Sequence, residues 1–189
     1  MDGLRAMRMF ALGLVGLLLV CGIAMEVEAQ EPTAEDPQEE TVQEETVQED
    51  RMQTPYEKEI HELHDFFQAW FRGDLPDTDE AFARFAAVMA ESMVHINPGG
   101  TVAERPALVE AIRKGYGGWQ GRGEGWKIEI RDVQLRQDLG NALVVTYQEW
   151  QFLGEQTRAR LTTVVLGKRQ DTPNGLEWLH VHEVWMPVR

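Results

Sequence analysis

The sequence predicts an α+β domain in which helices come first and a mainly antiparallel sheet follows. From Pro55 to Tyr116 apolar residues recur at three- and four-residue spacing, the pattern of a helix face. From Trp126 to Val184 they alternate with polar residues, the pattern of a strand. Consecutive strands after helices form a sheet that curls around the helices into a cone, and the open end of such a cone is a pocket.

Two helices are predicted at the start of the domain. The first follows Pro55 and ends at Gly73, and Asp77 or Thr78 caps the second. Their predicted inward residues are Ile60, Leu63, His64, Phe67, Trp70 and Phe71 in the first helix and Phe82, Phe85, Val88 and Met89 in the second.

A short strand and a third helix complete the first half. The strand is 93–96, and the turn-forming residues 97–100 end it. The segment 101–104 leads into a helix whose apolar face is Leu108, Val109, Ile112 and Tyr116.

Four long strands fill the second half of the domain. Each is rich in β-branched and aromatic residues, and turn-forming residues separate it from the next. The predicted strands are 126–136, 141–152, 158–169 and 176–184.

The first 29 residues are predicted to be a cleaved signal peptide. Arg5 and Arg8 precede an apolar run from Met9 to Ala24, which has the length of a signal-peptide core and is short for a membrane span. Cleavage after Ala29 is the first choice and would give a secreted or periplasmic protein with no membrane association. Two alternatives stay open: lipid attachment through Cys21, or an uncleaved anchor.

Residues 30–53 are predicted to be an acidic disordered spacer, followed by the domain at 54–189. Between positions 31 and 50 there are nine acidic residues and no basic one, too little apolar surface to offset the entropy of ordering. From position 51 onward there are 16 basic and 20 acidic residues. A nearly balanced domain with no basic stripe argues against a nucleic acid partner.

Two parts of the chain resemble a known superfamily. The stretch from Arg160 to Leu166, followed after a turn by Trp178 to Glu183, resembles the ending of DUF4440-type domains. The order of elements is similar to that of the SnoaL-like/NTF2-like superfamily, whose fold is a cystatin-like α+β barrel. The resemblance covers 56–187 and implies a cone-shaped pocket, a homodimer and a function set by the pocket lining.

Polar residues on the predicted strands indicate a ligand pocket. Alternation places Trp178, His180 and His182 on one face of the last strand, and the bulk of Trp178 favours the inside of the cone for that face. If the inward faces of the strands coincide, the pocket contains those three residues together with Tyr147, Glu149, Arg160 and His95.

Three functions stay open from these residues. In the first, Arg160, Glu149, Tyr147, His95 and Trp178 bind a small anionic or carbonyl-bearing molecule. In the second, the protein is an isomerase- or hydrolase-type enzyme, and His182 or His180 is its general acid or base. In the third, the domain is a homodimerisation module, and the polar set is a buried hydrogen-bonded network.

No metal and no cofactor are predicted. A metal site would need His180 and His182 together with His95 or Glu149, and two histidines two positions apart are a weak signal beside the four clear ligands of structural zinc sites. Glycines 121, 123 and 125 precede a strand, whereas a phosphate-binding loop leads from a strand into a helix.

Overall fold

The computed structural model describes residues 53–121 and 126–188, and this part contains three helices and one six-stranded sheet. The predicted signal peptide, and the predicted spacer up to residue 52, lie outside the described residues. The elements are α1 (Pro55–Arg72), α2 (Asp79–Ala86), β1 (Met89–Ile96), β2 (Val102–Glu104), α3 (Arg105–Lys114), β3 (Trp126–Asp138), β4 (Ala142–Leu153), β5 (Gln156–Lys168) and β6 (Leu176–Met186). Within the described residues, no helix has the length and apolar character that a membrane crossing requires.

The sheet has the strand order β2-β1-β6-β5-β4-β3. All neighbouring strands are antiparallel except β1 and β6, which are parallel. The register of β3 against β4 shifts between Arg131 and Gln134, where Asp132 has a φ of 55°. A bulge of this kind bends its strand. The predicted α+β fold, with a curled and mainly antiparallel sheet around N-terminal helices, is confirmed.

Helix α1 has the local signals of a stable helix at both ends. Thr54 and Glu57 form a reciprocal capping box, and Pro55 occupies the first turn, where its missing N–H costs nothing. Gly73 ends the helix at a φ of 74°, in the left-handed region that favours glycine.

The core lies between the helices and the concave face of the sheet. Trp70 is fully buried, and its indole Nε1 donates to the Ile112 carbonyl oxygen at 2.9 Å, which ties α1 to α3. Each large side chain buried here contributes about 1.5–3 kcal/mol. The buried aromatic and aliphatic residues of α1, α2, β4 and β5 are Ile60, Leu63, Phe66, Trp70, Phe82, Phe85, Leu143, Val145, Tyr147, Val164 and Leu166.

The first half of the domain differs from the prediction in three places. Helix α2 stops at Ala86, so Val88 and Met89 are buried beyond its end, and β1 begins four residues before the predicted strand. The segment 101–104 was expected only to lead into the third helix, but 102–104 pairs with β1 as β2. Asn97 makes this hairpin by accepting hydrogen bonds from the backbone N–H groups of Gly99 and Thr101 at 2.9 and 3.0 Å.

A bulge in β6 reverses part of the predicted inward face. Trp178 pairs with Leu166, but the next pair is His180 with Val165, so Leu179 is an extra residue. Beyond the bulge the concave face continues with Val181 and Glu183 in place of His180 and His182. The prediction that the two histidines face the inside of the cone is therefore wrong, because one inserted residue changes the face of every later side chain.

Candidate functional site

A cavity of about 230 Å³ lies between the helices and the concave face of the sheet. Most of its wall is apolar, and the polar residues gather on the side formed by β1, β4, β5 and β6. The apolar lining comprises Leu63, Phe67, Phe71, Phe85, Met89, Met93, Leu108, Ile112, Trp126, Ile128, Trp178 and Val181, and the polar lining comprises His64, His95, Tyr147, Glu149, Gln151, Arg160 and Glu183. An apolar cavity with a few convergent polar groups is the usual form of a small-molecule site.

Arg160 lies at the centre of the polar side. It faces Glu149 across β4 and β5, and its Nε and Nη2 donate to the two carboxylate oxygens of Glu149 at 3.0 and 2.6 Å. Its Nη1 donates to Glu183 Oε2 at 3.1 Å. One guanidinium therefore joins carboxylates from two strands, in the bidentate geometry that makes arginine pairs strong and specific.

Each of the two carboxylates also contacts a histidine. His95 Nε2 lies 3.3 Å from Glu183 Oε2, and His64 Nε2 lies 3.3 Å from Glu149 Oε2. His64 Nδ1 donates to the Ile60 carbonyl oxygen at 2.7 Å. The Tyr147 hydroxyl lies 3.5 Å from the same Nε2. The buried ring of His64 therefore links Glu149 and Tyr147 to the backbone of α1.

Burial and the neighbouring charges determine how these groups ionise. Burial opposes ionisation of Glu149, but the hydrogen bond from His64 and the charge of Arg160 outweigh it and hold the pKa of Glu149 well below its ordinary range. Burial raises the pKa of the Tyr147 phenol, and the charges of Glu149 and Glu183 raise it further. The cavity thus holds the ionised carboxylate of Glu149 beside a neutral phenol.

Trp178 forms part of the cavity wall, and a third buried carboxylate holds its indole in place. Its Nε1 donates to Glu59 Oε1 at 2.9 Å, and Glu59 is fully buried. Arg84 donates to both oxygens of Glu59 at 3.2 and 2.9 Å, and Asn174 donates to Oε2 at 2.8 Å. These bonds satisfy the buried charge of Glu59, as a stable fold requires.

Five of the seven residues predicted from the sequence line the cavity, and two do not. Trp178, Tyr147, Glu149, Arg160 and His95 contribute to one wall. The other two, His180 and His182, lie on the outer side of the β6 bulge, so the concave side contains neither of the predicted acid–base histidines.

Three polar residues of the wall were absent from the predicted set: His64, Gln151 and Glu183. His64 interrupts the apolar stripe of α1, which was a usable signal, and Gln151 follows Glu149 by strand alternation. Glu183 had no usable signal, because alternation without the bulge places it on the outer face.

Part of the hydrogen-bonding capacity of this wall is unused. Both contacts of Glu183 fall on Oε2, so among the described residues Oε1 accepts no hydrogen bond. The guanidinium of Arg160 has five N–H groups, and three of them reach the carboxylates. A free acceptor beside free donors suits a hydroxyl or carbonyl group of a ligand.

Comparison with known proteins places the chain in a family. A family model described as "Sucrose-6-phosphate phosphohydrolase C-terminal" matches residues 56–187. Sucrose-phosphatase 2 of Nicotiana tabacum is 28% identical over 130 residues, which cover 68% of this chain and 30% of that protein. Sucrose-phosphatase 1 of the same plant is 27% identical over 129 residues, with the same two shares. The chain thus matches about a third of the length of these curated relatives.

A solved structure shows the same fold over the same part of the chain. An NTF2-like protein of unknown function from Pseudomonas aeruginosa superposes with a TM-score of 0.62 and 28% identity, covering 70% of this chain and 99% of that one. The expected NTF2-like fold is thereby confirmed, while the finer likeness to DUF4440-type domains stays a prediction. The chain belongs to the sucrose-6-phosphate phosphohydrolase C-terminal family, within the NTF2-like superfamily.

Proposed function

We propose that this domain binds a small molecule in the cavity, against the wall formed by Glu149, Arg160 and Glu183. The observation that carries the proposal is that, within the described part of the chain, Glu183 Oε1 and two N–H groups of Arg160 have no hydrogen-bond partner, on a wall where Glu183 is only 5% exposed. Charged groups with unused hydrogen-bonding capacity that face a cavity favour a ligand over a purely structural network.

The polar wall favours a ligand with hydroxyl or carbonyl groups. Arg160 was expected to bind an anion, but two carboxylates already compensate its charge. A hydroxyl group can donate to Glu183 and accept from Arg160 at once, whereas an anion would be repelled by both carboxylates. The names of the tobacco relatives refer to a sugar phosphate, and a sugar is a molecule of this hydroxyl-rich kind.

Thermal unfolding with and without sucrose, and with and without sucrose 6-phosphate, tests this function. A ligand that binds only the folded state raises the melting temperature as its concentration increases. Leu108→Phe, which puts a larger side chain into the cavity, should remove that rise. Val102→Phe, at a position 60% exposed on β2, is the control and should retain it. An equal rise in the two variants would place binding outside the cavity.

One contact favours a second candidate function, acid–base catalysis. His95 lies in the cavity wall with Nε2 3.3 Å from Glu183 Oε2, and its side chain is 22% exposed. A carboxylate beside an imidazole orients the ring, which is the arrangement of a general acid or base. In this role His95 replaces the two histidines that lie outside the cone.

Deuterium exchange into a carbonyl-bearing probe tests the catalytic candidate. Dihydroxyacetone in heavy water should exchange its α-protons faster with the wild-type protein than with His95→Gln. His182→Gln, on the outer face, is the matched control and should keep the wild-type rate. Exchange that proceeds equally in all three proteins, or in none, would exclude His95 as an acid–base group for such compounds.

Two further proposals concern assembly and location. Leu161 and Val184 pair across β5 and β6 on the outer face of the sheet and are 38% and 46% exposed, so this face is suited to contact a second copy of the chain.

The proposal that the protein is exported rests on the apolar run between Met9 and Ala24. Both proposals are tested below.

A further inference from the structure

A second concave surface adjoins the cavity near the turn that joins β4 to β5. We call it the outer surface. It is lined by Trp119, Gln156 and Arg158, and it shares Phe71, Trp126 and Gln151 with the cavity. The cavity and this outer surface therefore meet at these three side chains.

The wall that joins the two surfaces consists of two successive cross-strand pairs. Arg160 of β5 lies opposite Glu149 of β4, and Arg158 lies opposite Gln151. Residues two positions apart on a strand point to the same side and are roughly 6–7 Å apart. The inner and outer arginines are thus neighbours on one face.

The two arginines differ in charge compensation. Arg160 pairs with two carboxylates, at 2.6 and 3.1 Å. Arg158 is exposed, and among the described residues no carboxylate lies within ion-pair distance of it. Its partner across the strands, Gln151, is an uncharged amide whose Nε2 donates to Glu149 at 2.7 Å. The outer end of the wall therefore carries a positive charge that the described protein groups leave uncompensated.

Aromatic side chains border the outer surface. The rings of Trp119 and Trp126 are stacked at a centroid distance of 5.6 Å with 6° between their planes, and Phe71 meets Trp126 edge to face. Such rings cover the apolar part of a ligand while the polar groups of that ligand reach side chains beside them.

We propose that the ligand is a small molecule with two unlike ends, a hydroxyl-bearing end at Glu183 and an anionic group at Arg158. This proposal rests on the proposed function and deepens it by naming the class of ligand, a phosphorylated sugar or similar polyol. The inner end accepts hydrogen bonds from the ligand through a carboxylate, and the outer end pairs with its anion. A ligand bound the other way round would bring its anion against Glu149 and Glu183.

Calorimetric titration of the whole chain with sucrose, sucrose 6-phosphate and inorganic phosphate tests the proposal. At low salt the wild-type protein should bind sucrose 6-phosphate about tenfold more tightly than sucrose, the size of one charge-assisted contact. Arg158→Gln should abolish that difference. Arg136→Gln, an exposed arginine of β3 that lines neither surface, is the matched control and should keep it.

The possible outcomes separate this proposal from the general one. Equal affinity for the two sugars, or a phosphate preference that survives Arg158→Gln, would overturn the role of Arg158 and leave the cavity as a ligand site. Inorganic phosphate bound as tightly as sucrose 6-phosphate would reduce the outer surface to a simple anion site and overturn the two-ended ligand. Failure of the wild-type protein to bind any of the three probes would overturn both the proposed sugar class and this inference.

Discussion

Arg160 donates to both carboxylate oxygens of Glu149, at 3.0 and 2.6 Å, from directly opposite positions on neighbouring strands. The exposed fraction of the Glu149 side chain is only 2%, so its charge depends on Arg160 for compensation. Removal of Arg160 leaves this buried charge without its ion-pair partner, which costs far more than the pair itself contributes. This pair therefore contributes both to the stability of the domain and to the polar wall of its cavity.

Arg160→Gln should lower the free energy of unfolding by about 3–5 kcal/mol, because it leaves the buried charge of Glu149 without its ion-pair partner. Urea denaturation followed by tryptophan fluorescence measures the change. Glu110→Gln, which removes the exposed Glu110–Lys114 pair of α3, is the control and should leave the stability unchanged within error. Equal stability of the two variants would mean that the Arg160–Glu149 pair does not support the fold.

Acid should destabilise the domain partly through Glu149. Because the pKa of Glu149 is lower in the folded protein than its ordinary value of 4.5, its ionised form stabilises the fold above that value. The stabilisation is lost as the pH falls below it, since the unfolded chain then binds a proton that the folded protein excludes. Free energies of unfolding between about pH 6 and 3 should fall more steeply for the wild type than for Glu149→Gln. Parallel slopes would contradict the assignment.

Trp178→Phe should lower the free energy of unfolding by about 1–3 kcal/mol, because buried Glu59 loses the donor at 2.9 Å and nothing replaces it. Thermal or urea unfolding measures the loss. Trp185→Phe, at a position 53% exposed on the same strand, is the matched control and should change little. A smaller loss for Trp178→Phe than for Trp185→Phe would show that the bond to Glu59 is dispensable.

Val184→Lys should convert a dimer into a monomer if the outer face of the sheet is the contact surface. A buried, unpaired ammonium group in an apolar interface opposes association. Sedimentation equilibrium of both proteins measures the mass. Val102→Lys, on β2 and 60% exposed, is the control and should leave the mass of the wild type unchanged. A monomeric wild type at high concentration would contradict the proposed homodimer.

Expression in a bacterial host tests the proposed export. The mature protein should begin at Gln30, because small residues precede the predicted cleavage after Ala29. Mass spectrometry of the purified N-terminus measures this directly. A mature chain that begins at a diacylated Cys21 would support the lipid-anchored alternative, and an intact Met1 would contradict cleavage altogether.

The long uninterrupted strands are the part of the fold that could be predicted in most detail. β4 and β5 pair without a register shift from Ala142 with Gly167 to Leu153 with Gln156, so alternation alone correctly places Tyr147, Glu149 and Arg160 on one face. The capping residues and the stripe of α1 are equally local signals, and the helix begins and ends where they indicate.

The sequence by itself thus determined the order of elements apart from β2, the curled sheet and which side of β4 and β5 faces inward, because these follow from period and propensity. Only the tertiary structure decided that Glu183, and not His182, completes the wall. One extra residue at Leu179 reverses the face of every later position, and no local pattern marks it. Tertiary structure also brings His64 to Glu149. The two residues are 85 positions apart in the sequence, and their contact depends on how α1 packs on the concave face of the sheet.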